Sequence, residues 1–251
     1  MVVTHVHLDH GSGTAALLEL CPNATALAHP RAARHLVRPG RLVGSARRVY
    51  GDLMFDKLFG EVAPVAEHRM RAVEDKESLV WGSRTLSFLH TAGHATHHIC
   101  MHDSRSNSAF TGDTFGVAFP PLQRGSRPRI TCTCPPTDFD PNEARRTVER
   151  VVATGAEWAC LSHFGTVGPV TTAAEQLLRS IDAMEAVLQG ARASGLADKA
   201  LQAFCETRVR EAVEQGAESC GMTLTDADRE RLQPDIHMNA LGIAYAAQRQ
   251  R

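Results

Sequence analysis

No stretch of this 251-residue sequence is apolar for long enough to cross a bilayer. A basic excess is lacking as well. The 27 lysines and arginines are offset by 28 aspartates and glutamates, giving a net charge of -1, which argues against a nucleic-acid partner. No Cys-x-x-Cys occurs, and the seven cysteines (Cys21, Cys100, Cys132, Cys134, Cys160, Cys205, Cys220) are scattered and odd in number. That excludes a disulfide scaffold and fits reduced thiols in a cytoplasm. The first residues show no secretory pattern of charge, apolar run and small residues, so cytoplasmic is the location expected. Internal repeats and low-complexity tracts are missing too. One large domain, or one domain with an appendage, is the organisation that remains.

Hydrophobic residues make up 43% of the chain, enough for a sizeable core, and thirteen histidines are the compositional outlier. The opening stretch "MVVTHVHL" is β-branched and alternating and predicts a strand, followed by a turn at "DHGSG" and a short helix over "TAALLEL". "ATALAHP" reads as a second strand. The arginine-rich stretch from Arg31 to Val62 reads as helical, broken at Pro39-Gly40. Short strands are expected between about Val62 and Ile130, then a helix opened by Asp140 and Pro141, then a strand over "EWACLSHFG". From Thr171 the pattern is purely helical: 171–193, 196–219, and Asp226 to the end with a break near Pro234.

Four residues near the start, His5, His7, Asp9 and His10, form a metal-binding pattern. Residues two apart on a strand point the same way, so His5 and His7 can share one ion. Asp9 and His10 follow in the turn and can serve a second. His94 in "HTAGHATHH", Asp113 in "FTGDTFG" and His163 in "CLSHFG" each follow an expected strand, where active-site loops gather. The seven are enough for two ions. Cys132 and Cys134 in "TCTCPP" have no base or ligand set to pair with and read as ordinary loop thiols. His90, His97 and His98 read as either packing residues or groups that orient a ligand. His29, His35, His68, His102 and His237 read as structural or exposed.

The motifs "THVHLDHGSG", "HTAGHATHH", "FTGDTFG" and "LSHFG", in this order, resemble the metallo-beta-lactamase superfamily of hydrolases. The resemblance covers roughly residues 1–170. It implies an α+β fold, an αββα sandwich, with an incomplete catalytic domain over 1–170 and a helical extension over 171–251. In the family pattern His5, His7 and His94 hold one metal, Asp9, His10 and His163 the other, and Asp113 bridges them. Two zinc ions are the cofactors implied, with iron as the alternative. Two cations sharing a water lower its pKa, and Asp9 can orient the nucleophile or protonate the leaving group. A bridging aspartate at Asp113 looks more like the glyoxalase II and lactonase branches than like true β-lactamases. A small-molecule ester, thioester or lactone is the substrate class this implies. An iron-dependent persulfide dioxygenase of the same superfamily and a non-enzymatic fragment are the other readings.

Two departures from the family accompany the resemblance. Relatives carry a section of sheet before the first motif, so the chain is expected to be truncated at its N-terminus, with little to hold its opening strand. Ala92 stands where relatives commonly have proline. The Arg31–Tyr50 stretch reads either as a solvated helix face or as a substrate cover that binds carboxylate or phosphate. The helical extension reads as core packing, as a pocket wall or lid, or as the contact of a homodimer.

Overall fold

Side-chain alternation along short strands decides how the chain layers. In the computed structural model, which describes residues 1–124, 127–136, 138–163 and 165–249, β1 (Ala26–Ala28) sends Ala26 and Ala28 to one side and Leu27 to the other. That is the two-residue period of a strand. Ala26 and Ala28 pack with Ala15 and Leu18 of α2 (Thr14–Leu20) and with Ala32 and Leu36 of α3 (Pro30–Val37). Leu27 meets Val73, Leu86, Phe88 and Ile99. β1 pairs in parallel with β2 (Met70–Ala72), forming a small two-stranded sheet.

The second sheet has six strands in chain order: β3 (Ser78–Trp81), β4 (Arg84–His90), β5 (Ile99–Asp103), β6 (Ser108–Gly112), β7 (Trp158–Leu161) and β8 (Gly165–Val167). All neighbours are antiparallel except β6 and β7, which α6 (Pro141–Val152) connects in parallel. Alternation repeats here. Phe88 and Ile99 face the small sheet, while Cys100, Ala109, Ala159 and Leu161 face a large core. That core is filled by α6 together with α7 (Val170–Ala193), α8 (Asp198–Ser219) and α9 (Asp226–Gln248). Each fully buried leucine, isoleucine or phenylalanine in it stabilises by about 1.5–3 kcal/mol. The layers are therefore helices, small sheet, large sheet, helices: the expected αββα order. The C-terminal helices share one continuous apolar core with the large sheet.

Three local expectations are corrected. "MVVTHVHL" is extended but is not a strand. It makes a single parallel bridge, Val2 with Leu27, and turns at His7 into a one-turn helix, α1 (Leu8–Gly11), where a plain turn was expected. His7 carbonyl accepts from the His10 and Gly11 amides at 3.0 and 2.8 Å, which ends extended pairing. The segment is nevertheless held on both sides. Val3 donates to the Leu27 carbonyl at 2.9 Å, Ile99 donates to the Thr4 carbonyl at 2.7 Å, and the terminal ammonium donates to the Thr25 carbonyl at 3.0 Å. Finally, Pro234 does not break α9. It lies on the exposed side, where the carbonyl it leaves without an amide faces water.

The arginine-rich stretch forms α3, α4 (Gly40–Tyr50) and α5 (Asp52–Leu58), with its first break at Pro39-Gly40 as expected. Asp140 caps α6 by accepting from the Asn142 and Glu143 amides. Among the described residues no helix is long and apolar enough to cross a membrane. Phe164 of the last motif and residues 250 and 251 of the expected tail lie outside the described residues.

Candidate metal centre

Strand register brings the sequence motifs to one end of the large sheet. His90 closes β4 opposite Ile99, which opens β5, and Gly112 closes β6 beside Leu161 at the end of β7. The loops that follow β4, β6 and β7 carry His94, Asp113 and His163. The opening segment reaches the same end through the Ile99–Thr4 bond, delivering His5, His7, Asp9 and His10. A register irregularity between Phe110 and Gly112 re-aims the chain just before Asp113. Gly112 itself sits at φ +53°, and a Cβ there would lie 2.3 Å from His98 Nε2. Only glycine allows this approach.

The seven side chains form two adjoining groups. In one, His5 Nε2 and His94 Nε2 lie 3.1 and 3.0 Å from His7 Nδ1. In the other, His10 Nε2 lies 3.2 Å from Asp9 Oδ2 and 3.2 Å from His163 Nε2. Asp113 stands between them. Its Oδ2 is 3.3 Å from His10 Nε2, 3.3 Å from His163 Nε2 and 3.8 Å from His94 Nε2. His5, His94 and Asp113 are buried, and His7 and His10 are half-buried. Asp9 and His163 are open to the cleft, with side chains 51% and 45% exposed.

A layer of hydrogen bonds behind these groups fixes which nitrogen carries the lone pair. The Thr133 hydroxyl gives its proton to the Asp113 carbonyl at 3.3 Å, so toward His94 Nδ1, 2.7 Å away, it can only accept. His94 Nδ1 therefore holds the ring proton, and its Nε2 lone pair faces His7. His98 accepts from the Asp113 amide at Nε2 (3.3 Å), so its proton lies on Nδ1, donated to the Thr91 hydroxyl at 2.7 Å. His5 Nδ1 lies 3.2 Å from the Thr4 hydroxyl, with Nε2 turned inward.

The two groups differ in charge. Burial, followed by neighbouring imidazoles, holds His5 and His98 well below the ordinary histidine value. Burial, ahead of the nearby imidazoles, also lowers His7 to about 4 and His94 to about 3. For His10 burial works the other way from the outcome: hydrogen bonds to Asp113 and Asp9 outweigh it and raise the ring to about 9. Hydrogen bonds to Asp113 and then Asp9 raise His163 to about 10. For both aspartates burial favours the neutral form, but hydrogen bonds from His10 and His163 prevail and hold the carboxyls below the usual range. A neutral imidazole trio thus adjoins two imidazolium–carboxylate pairs.

These residues fit metal ions. His94 Nε2, on a buried ring, and His7 Nδ1, on a half-buried one, are turned on one another, an arrangement that a cation between them satisfies. Ligands at bonding distance around a tetrahedral zinc stand about 3.3 Å apart, close to the separations here. Asp113 Oδ1 is buried and has no hydrogen-bond partner among the described residues. Three sets of mutually close donor atoms are present: His5, His7 and His94; His5, His10 and Asp113; and Asp9, His10 and His163. Imidazole with carboxylate and no thiolate suits zinc or iron.

A cleft of about 650 Å³ opens over the centre. Its lining includes Arg41, Leu42, Val49 and Tyr50 of α4 and Asp235, Met238 and Asn239 of α9. Of the arginine run only Arg41 faces the cleft; Arg47 instead pairs with Asp52 and Asp56 and lies 4.2 Å over the Phe55 ring. Burial pushes the carboxyls of Asp138 and Asp235 up.

All seven candidate residues of the sequence are thus brought together. Other readings shift. His90 turns away and places Nε2 against the Val73 carbonyl at 2.8 Å. His35, read as structural or exposed, lines the cleft with His97. Cys132 and Cys134 are buried thiols, and burial pushes Cys134 up. Thr133 between them was missed. Nothing in "TCTCPP" signals a threonine that reaches both His94 and Asp113.

The family model described as the metallo-beta-lactamase superfamily matches residues 1–163. No curated protein matches the chain. Among solved structures the chain is similar to an archaeal metallo-beta-lactamase superfamily protein from Sulfolobus tokodaii. Identity is 21%, coverage is 96% of this chain and 78% of that one, and the TM-score is 0.64. It is also similar to a metallo-beta-lactamase family protein from Thermus thermophilus, at 17% identity, 99% and 74% coverage and a TM-score of 0.60. A beta-lactamase domain protein from Burkholderia ambifaria matches at 16% identity, 98% and 66% coverage and a TM-score of 0.57. At these identities the likeness is one of fold, and its coverage of this chain takes in the C-terminal helices.

Proposed function

We propose that this chain, which belongs to the metallo-beta-lactamase superfamily, is a metal-dependent hydrolase of an ester, thioester or lactone, in the manner of the glyoxalase II and lactonase branches. The observation that carries the reading is the position of Asp113, whose Oδ2 lies within 3.8 Å of a nitrogen from each of the two histidine groups. His5, His7 and His94 would hold one cation, Asp9, His10 and His163 a second, with Asp113 shared. Two zinc ions are the pair this donor set favours. Bound there, they would supply an acidified water and polarise the scissile carbonyl.

The chain's own residues do the rest. Thr133 keeps the His94 proton on Nδ1, and His98 holds the Asp113 backbone. Asp9 is the open carboxylate of the set, and with one oxygen toward the second cation its other oxygen would take a proton from the nucleophile and return it to the leaving group. Leu42, Val49, Phe119 and Met238 supply apolar wall for the organic part of the substrate and exclude water from it.

The test is metal content together with hydrolysis of an aryl ester, a thioester and a lactone by the full chain. The expected result is about two zinc per chain and hydrolysis that Asp113→Ala abolishes. One iron per chain with oxygen uptake on a persulfide, or hydrolysis untouched by Asp113→Ala, would overturn the reading.

A further inference from the structure

Away from the cleft, Arg129 is a buried cation without an ion-pair partner among the described residues. It is 4% exposed, and its only hydrogen bond from the guanidinium among the described residues runs from Nη2 to the Val213 carbonyl of α8 at 3.2 Å. Nε and Nη1 have no acceptor there. The backbone is clamped rather than loose. The Gln123 side chain accepts from the Arg129 amide and donates to its carbonyl, each at 2.9 Å. Asp228, the carboxylate that acts on Arg129 from a distance, is already engaged by Arg124 at 2.7 and 3.3 Å. Burying a guanidinium with unfilled donors is unfavourable unless something accepts from it.

Arg129 is among the residues that line a cavity of about 190 Å³ between α7 and α8. Arg179, which is exposed, lines it too, together with Gln176, Ser180, Ser219 and Cys220. No aspartate or glutamate is among the lining residues. Two arginines, hydroxyls and an amide around a carboxylate-free cavity make an environment for negative charge. The volume admits a small oxyanion and a few waters, each water taking about 30 Å³.

We infer that the cavity between α7 and α8 is a binding site for a small oxyanion, of phosphate or carboxylate chemistry, held by Arg129 from within and Arg179 from the mouth. Ser180 ties this site to the metal centre. Its Oγ accepts from the Cys132 amide at 2.9 Å, one residue before Thr133. An anion seated there braces the segment that carries Thr133. The site is independent of the hydrolase reading and stands or falls without it.

The experiment titrates the full chain with inorganic phosphate and, separately, with acetate, at ionic strength held constant with sodium chloride. Thermal unfolding and titration calorimetry are the readouts. A saturable rise in Tm is expected with at least one of them, and the anion that saturates at lower concentration identifies the ligand chemistry. Arg179→Gln should weaken binding about tenfold or more, and Arg129→Gln should abolish it. Should Arg129→Gln fail to fold, Arg179→Gln decides alone. Absence of a saturable rise with either anion overturns the inference, because the cavity then holds only water. A rise that survives in every folded arginine variant also overturns it, because the anion then sits elsewhere, for example at the metal centre.

Discussion

Replacing Thr133 by valine removes one hydroxyl and keeps the shape of the side chain. The consequences follow from three bonds. The hydroxyl accepts from His94 Nδ1 at 2.7 Å and donates to the Asp113 carbonyl at 3.3 Å. The Asp113 carbonyl also accepts from the Gly116 amide at 3.1 Å, so it keeps a partner in the variant. His94 does not. The ring is 6% exposed and Nδ1 has no other hydrogen-bond partner among the described residues. One buried donor is orphaned, which costs about 1–3 kcal/mol in the metal-free chain. The second cost falls on the metal. With its orienting partner gone, His94 can place its proton on Nε2, the atom aimed at His7. Loss of such a partner lowers metal affinity by about 10–100-fold.

Zinc affinity measured by competition with a chromophoric chelator, alongside urea unfolding of the metal-free protein, separates the two costs. Thr133→Ser keeps the hydroxyl and should recover most of the affinity. If folded Thr133→Val binds zinc within about twofold of the parent, below the 10–100-fold range, the tautomer argument is wrong. If Thr133→Ser is as weak as Thr133→Val, the methyl and not the hydroxyl matters, and the argument fails in the same way.

Gly242 of α9 lies so close to the Cys134 carbonyl that a Cβ would stand 1.8 Å from the oxygen, while Asn239 pins the Cys134 amide at 2.7 Å. Gly242→Ala should therefore cost about 1–3 kcal/mol or more, lowering Tm by about 2–12 °C. An unchanged melting curve would show that the segment yields freely. His29 caps α3 by accepting from the Arg31 amide at Nδ1, and burial, then His90 and Arg31, lowers its pKa to about 4. A ring depressed from 6.5 to about 4 contributes stability that is full above the unfolded value and lost as pH falls through the folded one. His29→Asn, which keeps a cap acceptor that does not titrate in this range, should flatten the decline in Tm between pH 6.5 and 4; an unaltered slope would rule out His29 as its source.

What was legible in the sequence is what spacing alone encodes. The pair His5 and His7, the pattern of Asp9 with His10, and three further ligand-type residues each following a strand all appear in the structure at one end of one sheet. Element types were legible for the same reason: the apolar positions of α7 recur at helical spacing, and Asp140 with Pro141 announces α6. Partners set by register were not legible. His98 reaches the Asp113 amide only because β5 and β6 lie side by side in the sheet, and because residue 112 has no side chain. Thr133 reaches His94 across 39 residues. The opening strand failed for a related reason. Alternation of β-branched residues predicts extended backbone, and the backbone is extended, but strand pairing needs neighbours over several residues, and α1 begins after one bridge.

The location of the centre explains why so short a segment can be held. His5, His7, Asp9 and His10 belong to the layer built on the small sheet, and His94, Asp113 and His163 belong to the large one. These layers meet through a modest apolar cluster in which Leu27, Val73, Leu86, Phe88 and Ile99 are the buried members, and through hydrogen bonds of Ile99 to Thr4, of Val6 to His97 and of His90 to the Val73 carbonyl. Side chains from both layers interdigitate at the seam: His7 lies 3.0 Å from His94, and His10 lies 3.2 Å from His163. A ligand gripped from both sides binds only when the layers are docked, so its binding free energy is also docking free energy. The small sheet therefore does not have to hold the opening segment by itself. It has to bring four side chains close enough for the large sheet, and whatever the seam binds, to hold them from the other side.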